Sequence, residues 1–493
     1  MADIQKKDKY SKLAGNTILF AISSFSAKLL SILIRPFVTN VLQDPAVVGV
    51  TTLATQCANL LIPVVSLGVS SAIIRFTLDK TNNKKQVFTN GLLTILAGYL
   101  LLWLFYPIVQ FIPSVSDYAI YLYIYVLTSC LRSLCTNFVR GRQHNVLAAV
   151  DGVLCTLITL LFWVVFLIKY EMGAAGYLLA IICADVCSAI FLFCAEKLWR
   201  FLDFKAINKK LWGDMLKFAL PMIPAQISFW VINASDMFFL QILADGRDGL
   251  SGSYWVGVFS TAYYLPTILS TIGVIFYEAW QLSAVTEEED RKRFFGQVFR
   301  SYSGILFCVA AGILWLCEPL MGVFLEEFQT AWRCVPFLAI AAMITCFNQF
   351  YNSIYVVYKH TIGSCITMVT GAVANCIMNF FFIQWWGTFG AALASMLSLM
   401  IVFLFRVLHS RQFLVIDIAP RKVAINLAAL LLETLVLLSG MPYAMWVAFA
   451  ITAGVIVFNW AAVWQMGSMM IIKLLGRHGK ALVNKLEGLV RKA

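Results

Sequence analysis

Charge is scarce in this sequence. Only 13% of its 493 residues are Asp, Glu, Lys or Arg, where a soluble domain carries roughly 25%. Hydrophobic residues make up 61%. Runs of the ~20 apolar residues that a bilayer-crossing helix needs recur from end to end, so the chain reads as an integral membrane protein. Histidine is scarcer still: His144, His360, His409 and His478 all fall at the ends of apolar runs or beyond them. There is no HExxH, GxSxG or GxxxxGK[ST], so metalloprotease, serine hydrolase and P-loop ATPase chemistry lack their groups. The 13 cysteines show no zinc-like CxxC spacing and read as small packing residues in a helix bundle. No cofactor, no metal site and no enzymatic activity are expected. A cleavable leader is not expected either, since MADIQKKDKYSK is polar and runs straight into an apolar stretch too long for a signal h-region.

What the chain does have is an all-α pattern of about fourteen spans. They are expected at 13–41, 46–75, 86–112, 117–139, 145–168, 174–196, 212–243, 253–284, 296–316, 330–358, 361–384, 388–409, 422–439 and 443–472. Lys and Arg are retained on the cytoplasmic side. With the N-terminus inside, the inner segments collect 31 of the 37 basic residues. That asymmetry supports an even span count with both termini cytoplasmic. It also accounts for the net charge of +12 without a nucleic-acid partner. The last segment, KLLGRHGKALVNKLEGLVRKA, reads as an amphipathic helix on the anionic inner leaflet.

The spans repeat. VVGVTTLATQ (47–56) matches WVGVFSTAYY (255–264) at an offset of 208, and GAAGYLLA (173–180) matches GTFGAALA (387–394) at an offset of 214. Two six-span lobes related by a pseudo-two-fold axis follow, over 13–200 and 212–410. A cytoplasmic linker at 201–211 joins them, an added helix pair fills 411–472, and short cytoplasmic ends lie at 1–12 and 473–493. Polar residues are aligned on single faces. Thr17, Ser24, Lys28, Ser31 and Arg35 fall within about 60° of each other on the first span. Thr52, Gln56, Asn59, Ser66 and Ser70 fall within about 80° on the second. A cation in hydrocarbon is costly, so Lys28 and Arg35 are expected to face a wet cavity between the lobes. At an offset of 208 the stripe continues on the eighth span with Ser260, Tyr264, Thr267 and Glu278, and Lys28 maps onto Asp236. A Lys28–Asp236 pair locking the lobes is the alternative. Arg132 and Asp151 lie at similar depth on adjacent spans and are expected to form a structural ion pair. Asp185 and Glu433 show no obvious partner.

Several segments together resemble the multidrug/oligosaccharidyl-lipid/polysaccharide exporter superfamily, most closely its oligosaccharide repeat-unit flippases. They are KLAGNTILFAISSFSAKLLSILI, VVGVTTLATQCANLLIPVVSLGVSSAIIRF, FALPMIPAQISFWVINASDMFFL, VGVFSTAYYLPTIL and the Gly387–Ala394 element. The resemblance implies a V-shaped bundle with a cationic central cavity in the bacterial cytoplasmic membrane. It implies a lipid-linked oligosaccharide on an undecaprenyl diphosphate carrier, flipped from the inner to the outer leaflet by alternating access for surface polysaccharide synthesis, with membrane lipid holding the tail. Lys28 and Arg35 would meet the cargo's diphosphate and Tyr263, Tyr264, Gln56 and Asn59 its sugars, with Ser24, Ser31 and Thr267 also lining the cavity. With no nucleotide site, a proton or sodium gradient would drive transport, with Asp185, Asp236 and Glu278 as candidate carriers. A lipid II-type flippase would carry a dense arginine cluster in its first two spans, which is missing here. A multidrug/cation antiporter of the same superfamily is the second reading, favoured by Asp236 and Glu278 and opposed by Lys28 and Arg35. A membrane polysaccharide polymerase ranks below both, because the outer loops are short and hold no histidine.

Overall fold

A computed structural model describes residues 30, 34–79, 81–110, 115–204, 207–286, 290–358, 360–462 and 464. The described residues are helical, with no strand. The long helices are α1 (residues 34–42), α2 (Pro45–Val65), α3 (Val69–Leu78), α4 (Lys84–Trp103), α5 (Ala119–Gly141), α6 (Asn145–Trp163) and α7 (Gly173–Ala195). They continue as α8 (Lys209–Ala219), α9 (Ile223–Leu243), α10 (Gly252–Ala262), α11 (Tyr264–Thr286), α12 (Arg291–Met321) and α13 (Val335–Val357). The last four are α14 (Thr361–Trp386), α15 (Thr388–Ser410), α16 (Pro420–Leu438) and α17 (Ala444–Phe458). A helix lies at each of the fourteen expected spans, the first represented by α1. Among the described residues, nine spans are long and apolar enough to cross a membrane, or ten if α10 and the start of α11 count as one. This is a multi-pass membrane protein. The basic tail at 473–493 lies outside the described residues.

Several expected spans are interrupted, the second and the eighth among them. In the second, Pro63 sits inside α2, where it removes a backbone donor. Leu67 (φ 48°) and Gly68 (φ 65°) then turn left-handed before α3 restarts. In the eighth, the chain breaks at Tyr263 between α10 and α11. Helix entry is set by side-chain caps. Asp44 accepts from the Ala46 amide at the start of α2, with Pro45 at the first position. Asn208 accepts from the Lys210 and Leu211 amides at the start of α8. Such caps take up amide donors that have no partner inside the helix.

The chain forms two compact units. The first runs to Tyr264 and includes Val323–Thr330 and Met368–Ala394. The second holds Leu265–Gly322, Ala331–Thr367 and the chain from Ser395. Helices α9 and α10, which the repeat assigns to the second lobe, thus fall in the first unit with α1–α7.

Inside the first unit, α2 and α10 meet backbone to backbone through the repeated glycines. A Cβ on Gly49 would lie 1.8 Å from the Ser253 carbonyl oxygen, and one on Gly257 would lie 1.8 Å from the Pro45 carbonyl oxygen. Gly49 and Gly257 are 208 apart, and so are Pro45 and Ser253, so the contact is reciprocal. The second repeated element agrees in backbone conformation. Gly173 and Gly387, 214 apart, are both left-handed (φ 52° and 59°). Three residues on, a Cβ on Gly176 would lie 2.8 Å from Met172 Cβ, and one on Gly390 would lie 2.0 Å from the Phe382 carbonyl oxygen. Small residues let helix backbones approach, and close packing takes the place of the hydrophobic drive that lipid cannot supply.

The second unit is held by aromatic packing and by buried polar pairs. Phe276 stacks on Tyr302 with ring centroids 3.7 Å apart, and Trp280 stacks on Phe350 at 4.8 Å. Arg406, buried on α15, donates to the Asn348 carbonyl at 2.5 Å and to Thr367 Oγ1 at 3.0 Å. The added helix pair is tied by Asn426 and Asn459 (2.7 Å) and by Thr452 donating to Glu433 at 2.8 Å. Glu433 therefore has a partner the sequence did not reveal.

Candidate functional site

Five helices of the first unit surround a cavity of about 480 Å³. α1 contributes Arg35 and Thr39, α2 contributes Thr51, Thr52, Thr55 and Gln56, and α5 contributes Tyr125, Ser129 and Arg132. Thr156, Thr159 and Trp163 come from α6, and Tyr177 and Asp185 from α7. The expected cavity lay between the lobes; this one is walled by the first lobe's helices alone. Polar groups at this depth are costly unless they face one another or an aqueous space, and here they converge on one.

Arg35 stands half-buried on the wall. Its Nη2 donates to the Ser260 carbonyl at 2.5 Å, leaving its remaining N–H groups for other acceptors. Beside it, Thr52 Oγ1 lies 3.3 Å from Ser260 Oγ, a contact between repeat-equivalent positions. Arg35 therefore sits where α1 meets the α2–α10 seam.

The second cation on the wall, Arg132, is neutralised. It lies 3.1 Å from Asp185 and 3.8 Å from Asp151. Its Nε donates to Ser188 at 2.9 Å, and Ser188 donates to Asp151 at 2.5 Å. Ser129 also donates to Asp185. Asp185, which showed no partner in the sequence, is thus the nearer partner of Arg132. Its position opposite Arg132 comes from the packing of α5 on α7, which spacing along the chain does not encode.

The remaining expected site residues are dispersed. Gln56 lines the cavity, and its backbone carbonyl accepts from Trp230 Nε1 at 2.8 Å. Asn59 is exposed and donates weakly to Gln56 at 3.4 Å. Tyr264 packs edge-on against Phe324, centroids 5.2 Å apart, and Thr267 belongs to the second unit. None of Asn59, Tyr264 and Thr267 lines this cavity. Asp236 is buried in the first unit, away from the lining. It accepts from Asn379 Nδ2 at 2.5 Å and from the Tyr263 hydroxyl at 3.4 Å. Asn379 also bonds Asn375 (3.0 Å), which accepts from Ser235 at 2.7 Å. Ser24, Lys28, Ser31 and the side chain of Glu278 lie outside the described residues. Sequence reasoning passed over Thr156, Thr159, Trp163 and Tyr177. Each is a single polar or aromatic residue in an apolar helix, and only the three-dimensional convergence marks it.

A family model described as "Polysaccharide biosynthesis protein" matches residues 13–281. No curated protein sequence matches significantly. Among solved structures, the lipid II flippase MurJ in an inward closed conformation aligns with a TM-score of 0.68 at 14% identity, over 91% of this chain and 99% of that one. An inward-facing multidrug resistance MATE transporter of the MOP superfamily aligns at 0.60 and 16%, over 79% and 95%. A MOP superfamily transporter from Pyrococcus furiosus, noted for a binding pocket of reversed polarity, aligns at 0.53 and 15%, over 81% and 96%. At these identities the likeness shows a common fold.

Proposed function

The chain belongs to the polysaccharide biosynthesis protein family, and from that premise we propose that it flips an undecaprenyl-diphosphate-linked oligosaccharide from the inner to the outer leaflet of a bacterial cytoplasmic membrane. The observation that carries this is Arg35: a cation on the wall of a helix-lined cavity, hydrogen-bonded to a neutral carbonyl. A diphosphate is the cargo group that such a guanidinium binds best, through paired charge-assisted hydrogen bonds. Among the described lining residues the one acid, Asp185, is tied to Arg132, so this wall offers little to a cationic drug. The lipid tail would stay in the bilayer, and alternating access would carry the headgroup.

Asp236 and Asp185 are the two described candidates for a coupling ion, proton or sodium: Asp236 accepts from Asn379 and from the Tyr263 hydroxyl, and Asp185 faces the Arg132 guanidinium. Purified protein in liposomes loaded with a fluorescent lipid-diphosphate oligosaccharide tests the whole scheme, with membrane-impermeant quenching reporting the outer pool. Arg35→Ala should slow flipping roughly 10–100-fold, the effect of losing a charge-assisted contact of about 1.5–3 kcal/mol. Arg35→Lys should keep part of the rate. Unchanged rates in Arg35→Ala at matched protein content reject the phosphate role. Full flipping without proton or sodium gradients rejects a coupling role for either carboxylate.

A further inference from the structure

Between α12 and α13 the chain spends eight residues away from its own unit. Val323–Thr330 folds as part of the first unit, while Gly322 before it and Ala331 after it belong to the second. The segment is anchored by two rings. Phe324 and Phe328 are 2% and 0% exposed, whereas Val323, Leu325, Glu326 and Glu327 between and beside them are exposed. Phe324 packs edge-on against Tyr264, at the start of α11, and the short turn Glu326–Gln329 packs on α10. Gln329 Nε2 donates back to the Phe324 carbonyl at 3.2 Å. That bond closes the segment on itself, so it can move as one piece.

The seat of this segment is the end of α1 that the expected orientation places outside. Asn40 Nδ2 donates to the Val323 carbonyl at 2.9 Å, and Asn40 Oδ1 accepts from the Leu325 amide at 3.2 Å. One side-chain amide thus pairs with the two backbone groups that flank Phe324, as a neighbouring strand would. Thr39 and Leu42, on either side of Asn40, line the cavity, so the catch sits directly on the cavity's wall helix. A connection that served only to join α12 to α13 would need no seat on α1. The catch is also of a kind that can release. Asn40 is half-buried and its two bonds are exposed, so water can replace either, and each contributes roughly 2–10-fold to the docked state.

We infer that Val323–Thr330 is a strap that fastens the outer end of α1 beside the cavity, with Asn40 as its catch, and that the strap must lift before the cavity opens on the outer side. The inference rests on the transport reading and names the part that gates the exit. Lifting it uncovers Phe324 and Phe328 and frees α1 at Asn40.

Two measurements on the full chain, in a background free of native cysteines, test it. The first needs no transport. Thr39 is buried in the docked state, so Thr39→Cys should react slowly with an impermeant thiol reagent applied outside intact cells. Adding Asn40→Ala should speed that labelling roughly 4–100-fold, since it removes both bonds of the catch. Its thermal midpoint should stay near that of the parent, which shows that the variant is folded. Phe324→Ala should speed labelling further. The second measurement uses Asn40→Cys with Leu325→Cys, joined by a short bifunctional methanethiosulfonate that dithiothreitol cleaves. In the liposome assay the linked protein should flip at least about tenfold more slowly than the same protein after cleavage. Labelling that Asn40→Ala leaves unchanged, or flipping through a closed link at the cleaved rate, overturns the inference. Full flipping with the link closed defeats the strap and spares the transport reading. Labelling that rises as expected in a protein that flips no lipid-linked oligosaccharide does the reverse.

Discussion

At the scale of single residues, the membrane interior makes one missing partner expensive. Arg132 serves two carboxylates, Asp185 at 3.1 Å and Asp151 at 3.8 Å. Removing one member of a buried ion network typically costs about 3–5 kcal/mol, because it leaves charge without compensation. Arg132→Ala should therefore lower the thermal midpoint of the detergent-solubilised protein markedly. Adding Asp151→Asn and Asp185→Asn should recover much of the loss, since the charges left stranded are then gone. A midpoint that does not move in Arg132→Ala would show that the network contributes nothing to stability. The sequence showed part of this. Arg132 and Asp151 sit at matched depth on neighbouring spans, so their proximity could be inferred from counting alone. Asp185 could not, because which face of α7 meets α5 depends on packing that the local pattern does not specify. The same limit hid Thr156 and Thr159, which look like ordinary helix hydroxyls until α1 and α2 close the cavity over them.

Among whole elements, the decisive contact is α2 against α10. A methyl group at Gly49 would overlap a backbone oxygen at 1.8 Å, far inside any tolerated separation, and backbone cannot rotate away as a side chain can. Gly49→Ala and Gly257→Ala should each push the helices apart, displace Arg35 from the Ser260 carbonyl, and lower both thermal stability and flipping. Gly312→Ala is the matched control. Nothing lies within 4 Å of the Cβ it would add to α12, and alanine favours a helix over glycine by roughly 0.5–1 kcal/mol. It should be neutral or slightly stabilising. Equal melting behaviour of the Gly49 and Gly312 variants would remove the case for a tight seam. The seam was legible, since the VGV motif and its copy 208 residues later mark both sides of it. The breaks at Leu67–Gly68 and Tyr263 were not, because the apolar pattern runs through both without interruption.

For the whole molecule, the expected orientation follows from charge. With 31 of the 37 basic residues on inner segments, the short turn around Ser251, between α9 and α10, should face outward. In a background lacking the 13 native cysteines, Ser251→Cys should react with an impermeant thiol reagent applied to intact cells. Labelling only after the inner face is opened would overturn the fourteen-span orientation. The helical, multi-span class was readable from composition, because the bilayer fixes helix length independently of tertiary detail. Of the site's lining, Arg35, Thr52, Gln56, Arg132 and Asp185 were singled out in the sequence, because a charge or a polar stripe in an apolar run is conspicuous, whereas isolated threonines such as Thr156 and Thr159 are not. The reciprocal glycine seat also bears on ancestry. A chain of half this length, inserting twice in the same orientation, would meet its own copy through a single glycine used on both sides, as any two-fold homodimer does. In that ancestor one substitution would strike both faces at once. Joined in tandem, two such glycines would be separate positions that can change one at a time, and the flanking residues could then differ, as Thr51 and Thr55 differ from Phe259 and Tyr263.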